Sequence, residues 1–156
     1  MNMPTLLIID TSSRSTVLGL SIQETLIDRT TPAVNSHSRE ILPALSALLA
    51  DAGIDLPDID ALVFGQGPGS FTGLRIAAGV VQGLAYGLDR PVVQISTMAA
   101  LAQSLCDESR SSDDSVCVAL SARLEEVYFG AYRFDGGVAV PVTDERVADV
   151  RDYARP

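Results

Sequence analysis

The chain has 156 residues, 47% of them apolar, and a formal net charge of −9, with eleven basic residues that are all arginine. That length suits one domain, or one and a piece of another, with enough apolar side chains for a real core. The charge argues against a surface that wraps nucleic acid through its phosphates, and the absence of lysine excludes the G-x-x-x-x-G-K-[ST] phosphate loop.

The N-terminus Met-Asn-Met-Pro lacks a basic segment, and the apolar run after it stops at Asp10, too short for a signal peptide. Residues 5–9 read as a buried strand that ends in the oxygen-rich turn Asp10-Thr11-Ser12-Ser13. Residues 16–22 alternate as the second strand of a hairpin, and 26–30 form a third, edge strand. After Pro32, the polar run Asn35-Ser36-His37-Ser38 leads into a helix with Ile41, Leu42, Leu45, Leu48 and Leu49 on one face. Gly53 ends that helix, and Pro43 inside it is expected to cost one backbone hydrogen bond and tilt the first turns.

Residues 60–64 form the next strand, which breaks into Gly65-Gln66-Gly67-Pro68-Gly69-Ser70 and restarts as a helix from Phe71 to about Leu88. The glycines permit positive φ or close backbone approach, Ser70 is placed to cap the helix, and Gly87 with Pro91 closes it. A helix N-terminus behind such a turn attracts anions, which makes Gly67, Gly69 and Ser70 candidates for a phosphate or carboxylate site. A purely structural turn is an equal reading. Residues 91–95 give a fifth strand, and Thr97 caps a third helix through Leu105 with Met98, Leu101, Ala102 and Leu105 buried. That helix of 74–88 contains Arg75, Gln82 and three glycines and is too short to span a membrane, so the expectation is a cytoplasmic protein.

The polar stretch 106–115 marks a linker between a first lobe, 1–105, and a second unit, 116–156. Cys106 and Cys117 flank it with no metal spacing, which favours small, reduced, partly buried residues. The second unit opens with a buried strand at 116–120 and an alternating strand at 127–134, followed by an Asp135-Gly136-Gly137 hairpin turn. The order matches the start of the chain, which reads as a duplication whose second copy is incomplete, as in a truncated second lobe.

A duplicated βββαβα unit with Asp at the end of its first strand resembles the actin, Hsp70 and sugar-kinase superfamily. That resemblance implies an actin-like, ribonuclease-H-like α/β fold with a mixed sheet. Leu7-Ile8-Ile9-Asp10-Thr11-Ser12, His37-Ser38-Arg39-Glu40-Ile41-Leu42-Pro43, Gly65-Gln66-Gly67-Pro68-Gly69-Ser70-Phe71-Thr72-Gly73-Leu74-Arg75-Ile76 and Ile95-Ser96-Thr97 resemble the motif series of the TsaB (YeaZ-like) family. Two departures stand out: Ser121 in Ala119-Leu120-Ser121-Ala122-Arg123 occupies a position where the family usually has Asp, and family chains continue well past Pro156.

The resemblance implies a non-catalytic paralogue of the transferase TsaD. With TsaD and the ATPase TsaE, such a protein helps install threonylcarbamoyl on the adenosine beside the tRNA anticodon, and it meets tRNA only through the complex. In related kinases a strand-end carboxylate such as Asp10 orients nucleotide-bound Mg²⁺, and Thr11 and Ser12 would donate to phosphate, so ATP or ADP at a partner interface is the implied cofactor. The plain alternative is an Asx turn, favoured for catalysis because no second carboxylate, lysine or histidine completes a transfer site. No catalytic residue is assigned. No metal is assigned either, since one histidine, His37, cannot make a His-x-x-x-His pair and reads as a helix-start residue. A peptidase lacks both metal ligands and an activated nucleophile. The remaining enzyme alternative is a small ATP-binding phosphotransferase or ATPase.

The outer faces of the two helices flanking the glycine turn carry few charges. Pro43, Ala47 and Ala50 lie on the first, and Arg75, Ala78, Gly79, Gln82, Gly83 and Tyr86 on the second, opposite an inward stripe of Ala77, Val80, Val81, Leu84 and Leu88. These residues are the expected partner interface, serving a homodimer in isolation and a heterodimer with the TsaD-like paralogue.

Overall fold

A computed structural model describes residues 3–23, 25–32, 37–105, 115–149 and 151; the side chain of His37 and all of the expected linker 106–115 except Ser115 lie outside the described residues. The chain forms two compact units, Met1–Ile95 and Ser96–Pro156.

In the first unit, β1 (Leu6–Asp10), β2 (Ser15–Ile22) and β3 (Thr25–Pro32) run as an antiparallel meander, and β4 (Ala61–Gly67) joins β1 in parallel with Ile9 opposite Phe64. With β5 (Val92–Ser96), the sheet order is β3-β2-β1-β4-β5, a mixed α/β arrangement. The central strand β1 buries Leu7 and Ile9, and β2 buries Leu18 and Leu20, because each faces the helices across a pleat of period two. Helix α1 (His37–Ala52) closes this core with Ile41, Leu45, Leu48 and Leu49, whereas Leu42, expected on the same face, is 54% exposed at the stripe's margin.

Both helix ends have definable causes. Gly53 takes φ 68°, its N–H bonds the Ala50 carbonyl, and the Ile54 N–H reaches the Leu49 carbonyl at 3.2 Å, so the last turn of α1 closes as a Schellman motif. Helix α2 (Phe71–Leu88) ends at Leu88 as expected, but its closing residue is Asp89 in the left-handed conformation, with its N–H on the Ala85 carbonyl, two positions beyond Gly87. Asp tolerates that conformation better than most side chains. Its inward stripe is Gly73, Ala77 and Val81, with Val80 and Leu84 half-buried beside them.

The second unit begins with helix α3 (Thr97–Ser104), expected as the end of the first lobe. Its Met98 and Ala102 pack with Val118 and Tyr132, so the helix belongs with the sheet that follows it. Ser96, not Thr97, is the cap: its Oγ accepts from the Met98 and Ala99 amides. Leu101 and Leu105, expected inside, are exposed, since an eight-residue helix against one sheet buries a single narrow stripe.

The sheet beneath α3 consists of β6 (Ser115–Ser121), β7 (Glu126–Asp135), β8 (Val138–Pro141) and β9 (Arg146–Asp149). Gly136 and Gly137, at φ 58° and 83°, form the two-residue turn of the β7–β8 hairpin, as the sequence signals. Strands β8 and β9 pair with opposite ends of β7 along the edge not taken by β6, and residues 142–145 leave the sheet between them. In strand order this is an antiparallel meander like the start of the first unit. β6 is not a fully buried strand: Val118 is buried while Cys117, a free thiol, and Ala119 face outward, because α3 covers only one side of this sheet.

Candidate functional site

Asp10 and Gly65 follow the last register pair of the parallel strands β1 and β4, so the turn after β1 and the glycine loop after β4 emerge side by side. Backbone fills the space between them. A Cβ on Gly65 would stand 2.4 Å from Asp10 Oδ2, one on Gly69 2.3 Å from the Ser12 carbonyl oxygen, and one on Gly73 1.8 Å from the Thr11 carbonyl oxygen. Three glycines at four-residue spacing thus let loop and helix lie directly on the Asp10-Thr11-Ser12 turn. Gly67 answers a different demand, holding φ +95°.

Hydrogen bonds stitch the contact. The Ser12 N–H donates to Asp10 Oδ1 at 2.6 Å, which is an Asx turn. The buried Thr11 hydroxyl donates to the Gly73 carbonyl at 2.7 Å, and the Ser70 N–H donates to the Ser12 carbonyl at 2.6 Å. Ser70 Oγ caps α2 by accepting from the Gly73 N–H. The candidates Asp10, Thr11, Ser12, Gly67, Gly69 and Ser70 therefore converge, and Gly73 joins them. As arranged, the Thr11 hydroxyl and the Ser70 amide, two donors a phosphate would need, are turned to partners within the turn, and the Ser12 carbonyl fills the hollow beside Gly69. This geometry does not fit a phosphate cradle. It is a brace between the ends of β1 and α2. Among the described residues no group of three or more His, Cys, Asp or Glu is placed to hold a metal ion.

The expected partner residues sit as follows. On α1, Pro43 and Ala50 are exposed and Ala47 half-buried; on α2, Arg75, Gly79, Gln82 and Gly83 are exposed, Ala78 is half-buried, and Tyr86 is 93% exposed. Among the described residues, a Cβ at Gly79, Gly83 or Gly87 would meet no packing neighbour within 4 Å. The Arg75 guanidinium lies over the Phe71 ring, 5.6 Å from its centroid, with Phe71 itself 70% exposed.

A polar cluster in the second unit escaped the sequence. Glu145 Oε1 accepts from Ser96 Oγ and from the Tyr132 hydroxyl, each at 2.5 Å. Burial, reinforced by the Glu145 hydrogen bond and charge, pushes the Tyr132 hydroxyl well above the ordinary tyrosine range. Gly130 makes room, since a Cβ there would come within 3.3 Å of Glu145 Cγ. On the surface, hydrogen bonds from Arg151 hold the Asp149 carboxyl down to about 2. Ser121, at the position of the family aspartate, is the exposed last residue of β6.

A family model described as "TsaD: tRNA N6-adenosine threonylcarbamoyltransferase" matches residues 24–155. The tRNA threonylcarbamoyladenosine biosynthesis protein TsaB of Haemophilus influenzae is 42% identical over 125 residues, covering 80% of this chain and 52% of the relative. Its Escherichia coli namesake is 36% identical over 130 residues, covering 83% and 55%. The solved structure titled "YeaZ from Pseudomonas aeruginosa" superposes with a TM-score of 0.85 at 39% identity, covering 94% of this chain and 68% of that one. The chain belongs to the TsaB (YeaZ-like) family. Its mixed sheet and βββαβα order are accordingly those of the actin-like fold. The chain spans about half the length of these two curated relatives. Among the described residues no helix is long and apolar enough to cross a membrane.

Proposed function

We propose that the chain is a scaffold and activating subunit of the cytoplasmic complex that transfers threonylcarbamoyl to the adenosine beside the tRNA anticodon. It pairs through its α1 and α2 outer faces with a TsaD-like catalytic paralogue, works alongside a TsaE-like ATPase, and touches tRNA only through the complex. By itself it forms a homodimer through the same surface. The observation that carries this reading is family membership with relatives named for threonylcarbamoyladenosine biosynthesis. The α2 face supports it, because three glycines there meet no packing neighbour among the described residues and so leave room for the close approach of another helix. The brace between Asp10-Thr11-Ser12 and the glycine loop fits the same role: it stiffens the start of α2 rather than offering donors to a substrate.

The test is reconstitution. Purified TsaD-like and TsaE-like proteins from the same source are incubated with tRNA, ATP and a preformed activated threonylcarbamoyl donor, with and without this chain, and threonylcarbamoyladenosine is quantified after nuclease digestion. Product that depends on the chain is the expected outcome. Equal product without it would refute the reading, and ATP turnover by the isolated chain that vanishes in Asp10→Ala would favour an enzyme instead.

A further inference from the structure

We propose that Arg75 is the charged anchor of the α2 face and that the partner seated there is a protein presenting a carboxylate to it. The inference rests on the scaffold reading above and adds a chemical requirement for the partner. Phe71–Leu88 contains one formally charged residue, Arg75, and no acidic one, in a chain whose net charge is −9. The charge is therefore isolated on an otherwise neutral face.

Its one ring contact orients it. The guanidinium stacks on the Phe71 ring at 5.6 Å, both side chains are exposed, and among the described residues Arg75 makes no ion pair. The ring contact favours one orientation of the side chain and leaves the guanidinium edge open, which suits bidentate capture of a carboxylate. A helix that approaches over Gly79 and Gly83 strips water from this group one turn away. An unpaired guanidinium would then resist closure, whereas a facing carboxylate compensates its desolvation and fixes the register.

A second copy meets the requirement poorly. The acidic residue nearest along α2 is Asp89 at its C-cap, fourteen positions on and so about 21 Å along the axis. Only one antiparallel register brings it opposite Arg75. Of the two carboxylates on α1, Glu40 is half-buried and Asp51 is already paired with Arg29. A different protein is free of these constraints, so charge favours the heterologous partner over self-association.

The experiment measures binding of the full chain to the TsaD-like protein by calorimetry, and self-association by analytical ultracentrifugation, for wild type, Arg75→Lys and Arg75→Glu. Thermal melts check folding, and an exposed arginine whose one ring contact is Phe71 leaves them near wild type. Expected are about 10-fold weaker binding for Arg75→Lys, which loses the fork, and about 100-fold or more for Arg75→Glu, with self-association changed by less than about 3-fold. Wild-type binding with Arg75→Glu within about 3-fold of it overturns the anchor while leaving the scaffold reading intact. No wild-type binding overturns both.

Discussion

The carbonyl oxygen of Thr11 lies 1.8 Å from the place a Cβ on Gly73 would occupy, so the end of β1 and the first turn of α2 touch backbone to backbone. Neither element can retreat, since Thr11 is fully buried and Gly73 packs inside the core stripe of α2. Gly73→Ala is expected to destabilise the first unit by about 3 kcal/mol, and Gly69→Val by a similar amount. Gly79→Ala is the control, because among the described residues the added carbon meets no packing neighbour within 4 Å. There the better helix propensity of alanine should raise stability by up to about 1 kcal/mol. Urea melts of the three variants check both signs.

The Thr11 hydroxyl donates to the Gly73 carbonyl from a fully buried position. Thr11→Val keeps the shape and removes the donor, so the Gly73 carbonyl is left without that bond away from water. A loss of about 1–3 kcal/mol is expected. Thr11→Ser, which restores a hydroxyl, should recover part of it. Equal melting of Thr11→Val and wild type would show that the bond contributes nothing net.

The features legible in the sequence were those written locally. The alternation of β2, the Gly136-Gly137 turn, the Ser70 cap and the end of α1 at Gly53 each need only a few neighbouring residues to be recognised. The glycines of the β4–α2 loop signalled a close approach but not what approaches: the space beside Gly69 and Gly73 holds the chain's own Ser12 and Thr11 carbonyls, contributed from some sixty positions away. Helix α3 shows the same limit, since an apolar stripe says that a helix is covered and not by which sheet. The Ser96–Glu145 and Tyr132–Glu145 bonds join residues 49 and 13 positions apart, and no spacing rule links them. Gly130, whose added Cβ would crowd Met98, Tyr132 and Glu145, marks the place where these side chains pack over β7.

Tyr132 provides a pH test. Burial first, then the hydrogen bond to Glu145, holds its proton on, so its pKa in the folded chain lies above the ordinary value of 10.0. The unfolded chain gives up that proton first. The associated stability is therefore complete below about pH 10 and falls as pH rises beyond it. In Tyr132→Phe this alkaline loss should be shallower. At neutral pH the variant leaves Glu145 Oε1 with one donor fewer and should cost about 1 kcal/mol. Urea melts of both proteins from pH 7 to 11 decide it, and parallel pH profiles would count against Tyr132 as the group responsible.

The α2 face supplies the last prediction. Gly79 and Gly83 are exposed, a Cβ at either meets no packing neighbour within 4 Å among the described residues, and they are one turn apart on the side opposite the buried Ala77 and Val81. Arginine at both positions should leave the isolated chain folded, and it replaces two poor helix formers with good ones, so melting temperature should hold or rise. Association is a different matter. A helix brought close by glycine would meet two long charged side chains, and burying them unpaired should weaken binding by several kcal/mol, roughly 100-fold or more. Gly79→Arg with Gly83→Arg is thus expected to be monomeric in ultracentrifugation, to lose the TsaD-like partner, and to fail in the tRNA modification assay, all at full thermal stability. Each readout separates interface from fold. A stable double variant that still dimerises and binds the partner with unchanged affinity would place the interface on another surface.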